Sequence, residues 1–142
     1  MPAIAPDPER IRAFLAQAED GPIVMINLLR YRDQAAYPAD FAAAPCTGTE
    51  AYGRYSEAVQ PLLAKVGGRP IWIGLVRESL IAEPGEAWHN VMLVEYPSRQ
   101  AFIEMTSSPE YLAIAPHRTA ALEDSRLIAT SGTLLPAPVE AR

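Results

Sequence analysis

The chain has 142 residues, 49% of them hydrophobic and 20% charged, which suits one globular domain with a real core and is too apolar for disorder. Its formal net charge is −5, and the eleven arginines and one lysine are scattered rather than striped, which argues against a nucleic-acid partner. The single cysteine, Cys46, excludes an internal disulfide and fits a reducing compartment.

No basic start followed by an apolar stretch is present at the N-terminus, where proline and aspartate intervene, and apolar runs stay well short of the roughly 20 residues of a membrane helix. The expectation is a soluble, cytoplasmic protein with no membrane contact. Asp7 followed by Pro8 reads as an N-cap with proline at the first helical position, and Ile11, Phe14, Leu15 and Ala18 share one face of a helix over 8–18. Asp20-Gly21-Pro22 stops it. "IVMINLLRY", 23–31, is β-rich and apolar on both alternating faces, with Ile23, Met25 and Leu29 on one and Val24, Ile26 and Leu28 on the other. Such a strand is central and covered on both sides.

Residues 32–48 show no period and read as a long loop, either a lid or a connection. Thr47 and Glu50 have the spacing of a capping box, and Tyr52, Tyr55, Val59, Leu62 and Val66 follow as an amphipathic helix that Pro61 should kink and Gly67-Gly68 should end. "PIWIGLVRESL", 70–80, is a second strand in which Gly74 suggests a bulge or a close backbone approach. "WHNVMLVEY", 88–96, is a third, paired antiparallel with the second. Ser98 can cap a helix carrying Phe102 and Met105; Ser108-Pro109 and Pro116 should each start short helical turns; and 125–132 is a last strand before a loose tail, 133–142.

The order α, then βαββαβ, is the α+β ferredoxin-like arrangement with an extra N-terminal helix, as one domain with its core over 22–130. Two helices cover one face of four strands. The other face, apolar in strands one and three, must be covered by the N-terminal helix or by a second subunit's sheet, and the width of the sheet favours a homodimer built sheet on sheet.

"INLLRY" (26–31), "AYGRYSEAVQPLLAKVGGRPIWIG" (51–74), "VEYPSRQAFIEM" (94–105) and "SPEYLAIAPHRTAALEDSRLIA" (108–129) together resemble a bacterial family of uncharacterised proteins in the dimeric α/β-barrel superfamily. The resemblance implies the same fold and dimer. The superfamily holds cofactor-free monooxygenases, lactone isomerases, haem enzymes and plain ligand binders, with a cavity between sheet and helices, so it carries architecture rather than chemistry. Trp88-His89 stands where that family is expected to have tryptophan followed by an acidic residue.

Among the residues themselves, His117 and Arg118 are the first candidates for chemistry. The imidazole can give or take a proton, and the guanidinium can hold an oxyanion or carboxylate. The bland alternative pairs Arg118 with Glu95 or Asp124 and bonds His117 to backbone. Asn27, an amide inside an apolar strand, needs partners, either a ligand or a side chain across the dimer. Tyr52, Tyr55, Trp88 and Tyr96 offer apolar bodies with polar tips, as pockets do and as plain cores also do. Cys46, His89 and His117 lack metal-ligand spacings, and there is no glycine-rich nucleotide loop, so neither metal nor cofactor is expected. The expectation is an unknown small molecule between sheet and helices under loop 32–48. It is either turned over by acid/base or oxygenase-type chemistry without a cofactor, or merely bound by a ligand-binding or stress-related module.

Overall fold

A computed structural model describes residues 2–17, 21–133 and 135. Eight elements follow one another: α1 Pro8–Leu15, β1 Ile23–Tyr31, α2 Gly48–Lys65, β2 Arg69–Leu75, β3 Asn90–Tyr96, α3 Arg99–Thr106, α4 Pro109–Ala121 and β4 Leu122–Thr130. The sheet runs β2-β3-β1-β4 with every neighbouring pair antiparallel, which is the ferredoxin-like order. Ala18 and Asp20, expected at the end of the first helix, and most of the tail expected beyond 133 lie outside the described residues.

Local chemistry sets the boundaries. The Asp7 carboxylate accepts from the Glu9 N–H and Pro8 opens α1. At α2 the capping box closes in both directions: Thr47 Oγ1 accepts from the Glu50 N–H at 3.1 Å, and Glu50 Oε1 accepts from the Thr47 N–H at 2.9 Å. Gly67, at φ +80°, turns the chain out of the helix, with its N–H on the Ala64 carbonyl and that of Gly68 on the Leu63 carbonyl.

Three expectations are corrected. The second strand stops at Leu75 rather than residue 80; past Val76, which bonds to the His89 carbonyl, it is an edge without a partner, and Leu80 and Ile81 stand fully out. Its irregularity falls between Pro70 and Trp72 rather than at Gly74, where the close approach is made by the Trp72 indole, 2.8 Å from where a Cβ would stand. The second crossover is not broken at Pro116: α4 runs unbroken over 109–121, because the carbonyl that Pro116 leaves without a donor belongs to exposed Leu112, where water can serve it.

Alternation along β1 sends Ile23, Met25, Asn27 and Leu29 toward the helices. Two apolar clusters lie there. Ile23, Met25, Leu63, Val94, Tyr96, Phe102 and Met105 form one; Leu29, Ala51, Tyr52, Tyr55, Ala121 and Leu122 form the other. Asn27 stands on β1 between them. Helix α1 packs on this same side, its Phe14 ring edge-on to Phe102 at 5.8 Å and under the Arg99 guanidinium at 4.8 Å. It therefore leaves the opposite face of the sheet uncovered.

Candidate functional site

The second cluster brings several of the candidate residues together. Tyr52 and Tyr55, adjacent on α2, have ring centroids 5.3 Å apart, and Tyr31 of β1 adds a third ring at 5.5 Å from Tyr52. The Tyr55 and Tyr111 hydroxyls share a 2.7 Å hydrogen bond across α2 and α4. Burial is the main force raising the pKa of Tyr31, Tyr52, Tyr55 and Tyr96, so all four are neutral phenols at ordinary pH and can donate a hydrogen bond but not act as bases.

Arg118, in the last turn of α4, aims into this group. Its charge opposes the upward shift of Tyr52, Tyr55 and Tyr96. Its Nη1 donates to the Ile4 carbonyl at 2.7 Å. Among the described residues it has no carboxylate partner: Glu95 pairs with Arg69 at 3.0 Å and Asp124 with Arg126 at 2.7 Å. A half-buried guanidinium that among the described residues is held by a neutral carbonyl oxygen retains most of its attraction for an anion.

Asn27 is 8% exposed and faces the helices, so a partner across the open face of the sheet cannot reach it. Its amide nitrogen makes only long contacts, 3.5 Å to the Met25 carbonyl and 3.4 Å to that of Met92. The side-chain oxygen accepts nothing from the described residues. Tyr96 sits against Phe102 in the first cluster, its ring edge-on at 5.2 Å, and belongs to the core as much as to the site.

His117 and Trp88 lie elsewhere. The His117 ring is gripped by loop 32–47: its Nδ1 is 2.7 Å from the Tyr37 hydroxyl, and the Tyr37 and Phe41 rings meet it edge-on at 5.5 and 5.2 Å. Arg54 completes this latch, donating to the Tyr37 hydroxyl at 3.2 Å and to the Ala44 carbonyl at 3.0 Å. Burial first, then the Arg54 charge, holds the His117 pKa below its usual value. Neighbours in sequence, His117 and Arg118 thus serve different structures, one the loop and the other the tyrosines. Trp88 donates to Glu86 at 3.0 Å and stacks under Arg126, a residue that register pairs with Leu28 and so places on the face away from Asn27. His89, exposed, takes the Tyr31 N–H on its Nδ1 at 3.0 Å and stacks on that ring, extending the β1–β3 pairing by one step.

Two residues of the site escape a reading of local pattern. Tyr111 carries the only sign of itself in its i, i+7 spacing to Arg118 along α4. Ile4, packed on the second cluster, gives no sign at all, since residues 2–6 have neither period nor motif. A separate hollow of about 210 Å³ between the end of α2 and the α3–α4 junction, lined by Leu62, Lys65, Glu104 and Glu110 among others, contains none of the expected residues. Among the described residues no three His, Cys, Asp or Glu side chains gather as a metal would require, and no helix is long and apolar enough to cross a membrane.

Residues 41–132 match the family model described as a domain of unknown function (DUF1330). The chain is 40% identical to a protein of unknown function from Rhodopseudomonas palustris, over 96% of this chain and 100% of that one, with a TM-score of 0.86; the methylated form of that protein gives the same identity and score. A dimeric protein of unknown function with a ferredoxin-like fold, from Bacteroides fragilis, is 20% identical over 78% of this chain and 96% of its own, with a TM-score of 0.50, which speaks to the fold alone. No curated protein matches.

Proposed function

The chain belongs to the family described as a domain of unknown function (DUF1330), and from that premise we propose that it is a ligand-binding module that holds a small aromatic or carbonyl compound between its sheet and its helices. The observation that carries this reading is Arg118. A cation is turned inward to neutral phenols, where a plain core would have supplied a carboxylate or an aliphatic side chain, and on the same side of the sheet Asn27 has a side-chain oxygen that accepts nothing from the described residues. Loop 32–48 is the cover: the Ala35 N–H bonds to the Cys46 carbonyl, the Ala36 N–H bonds to the Ala120 carbonyl, and the His117 latch ties its middle to α4.

Binding without turnover is favoured over catalysis by the place of His117. An acid/base must reach the reacting atom, and this ring is spent on Tyr37 instead. The remaining groups around Arg118 are phenols held neutral, suited to orient a carbonyl or carboxylate and not to take its proton. The protomers associate as a homodimer through the open face of the sheet, where Val24, Ile26, Leu28, Val91 and Leu93 are covered by no helix and Trp72 and Ile128 are 60% and 47% exposed.

The test is a thermal-shift panel of aromatic acids and lactones on the wild type, Arg118→Ala and His117→Ala. At least one compound is expected to raise the melting temperature of the wild type and of His117→Ala but not of Arg118→Ala. No shift with any compound overturns the pocket. An equal shift in all three variants removes Arg118 from it.

A further inference from the structure

The segment ahead of α1 does something that neither the fold nor its length requires. Only Ile4 of residues 2–6 turns inward; Pro2, Ala3, Ala5 and Pro6 are exposed. Its side chain packs on the cluster of Leu29, Tyr52, Tyr55 and Leu122, and its carbonyl takes the Arg118 Nη1–H at 2.7 Å. The segment is fastened beside this point by two further bonds, the Ala3 N–H to Asp124 Oδ1 at 2.9 Å and Ser125 Oγ to the Ala3 carbonyl. Ile4 thus presents one oxygen to a guanidinium and one small branched apolar body to a hydrophobic wall, two features that a short-chain organic acid shares.

We propose that Arg118 is a carboxylate-binding residue for a small monocarboxylate with an apolar body of four to seven carbons, and that residues 3–4 are a built-in stand-in which this ligand displaces. The inference rests on the pocket reading above and names its ligand class. The exchange is favourable at the guanidinium, because a carboxylate offers two charged acceptors to a fork that the carbonyl serves with one neutral oxygen. The Tyr52 hydroxyl, kept protonated, can add a donor to the same carboxylate. On the other side of the balance the strap gives up three hydrogen bonds and the burial of one isoleucine, so occupancy of the site by Ile4 lowers apparent affinity by the fraction of molecules in which the strap is seated. Both prolines stiffen the segment and limit what it gains in freedom on release.

The experiment titrates the full chain with 3-methylbutanoate and phenylacetate, and with the neutral amide of each, by calorimetry. Amide exchange at Ala3 is followed in parallel. The acids are expected to bind about tenfold or more tightly than their amides. Arg118→Gln should abolish that preference while Arg118→Lys keeps part of it. Ile4→Gly should bind the acids about tenfold more tightly than the wild type, and the Ala3 amide should exchange faster when acid is bound. Equal binding of acid and amide, or an acid preference that survives Arg118→Gln, overturns the carboxylate assignment and leaves the pocket standing. Acid binding that Ile4→Gly does not strengthen, with Ala3 protection unchanged, overturns the stand-in. Binding of neither acids, amides nor lactones by the wild type or by Ile4→Gly overturns the pocket reading itself.

Discussion

On the helix side of β1, Ile23, Met25 and Leu29 are at most 3% exposed, while one step along the same strand Val24, Ile26 and Leu28 are covered only by their neighbours in the sheet. The residue types are the same. What differs is the cover: α2, α3, α4 and even α1 gather on one side, and the described residues supply no element for the other. The helix side is covered by the molecule's own elements, and at the start of α2 backbone segments touch without side chains between them. In the proposed dimer the open side is half of a core, its apolar area set against a second surface. Substitutions on the two sides should therefore fail in different ways, one in folding and one in assembly.

The sharpest break should come at Gly48, where the start of α2 is wedged between Arg32 and the end of α4. A Cβ there would run into the Arg32 carbonyl oxygen and stand 2.7 Å from that of Ala121, both backbone atoms unable to swing aside. The Gly48 N–H bonds to the Arg32 carbonyl and the Arg32 N–H to that of Ala121, so the collision would pull apart three elements at once. Gly48→Ala is expected to cost about 3 kcal/mol or more, seen as a melting temperature lower by about 10 °C. A variant melting within about 2 °C of the wild type would show that this joint is looser than its geometry. On the open side, Leu93→Asp should leave the protomer folded, since the residue touches no helix, and should instead convert a species of twice 15.5 kDa into one of 15.5 kDa by sedimentation. A charge buried there without a partner costs several kcal/mol of association. If the wild type sediments as a single chain, the open face is not half of a core and the comparison collapses.

This difference also explains what could be read in advance. The limits of β1 and the start and end of α2 follow from signals within a few residues: an unbroken β-rich run after Pro22, the Thr47–Glu50 box, and Gly67-Gly68. The strand expected to reach residue 80 carries the same kind of signal in Val76, Leu80 and Ile81, yet strand length is decided by a neighbour, and β3 offers none beyond His89. Likewise the cost of Pro116 depends on whether its orphaned carbonyl can reach water, and that of exposed Leu112 can. In the site, Arg118 and Asn27 stood out as polar groups in apolar periodic segments, a contrast that sequence displays directly. Adjacency in sequence suggests one site for His117 and Arg118, but neighbours on a helix lie about 100° apart and meet different surroundings. Which one meets the tyrosines, and that Ile4 lies beside it, depends on contacts between residues far apart in the chain, 114 positions in the case of Ile4 and Arg118.

The smallest effect should fall at the His117 latch, between the finished core and solvent. Tyr37 already accepts from Arg54, so its one hydroxyl proton is free to go to Nδ1 of His117, an arrangement that needs a neutral ring with its proton on Nε2. Burial and the Arg54 charge both disfavour the charged ring, which places the folded-state pKa below the ordinary value of 6.5. The unfolded chain then takes up its proton first as pH falls, so the latch's contribution is fully present above about pH 6.5 and is lost as pH drops toward the folded value. Melting curves between about pH 7.5 and pH 5 should fall more steeply for the wild type than for His117→Gln, which keeps an acceptor for Tyr37 and cannot be protonated. Parallel curves would mean that the ring is no more protected than a free histidine, and that loop 32–47 is held by its backbone bonds to α4 alone.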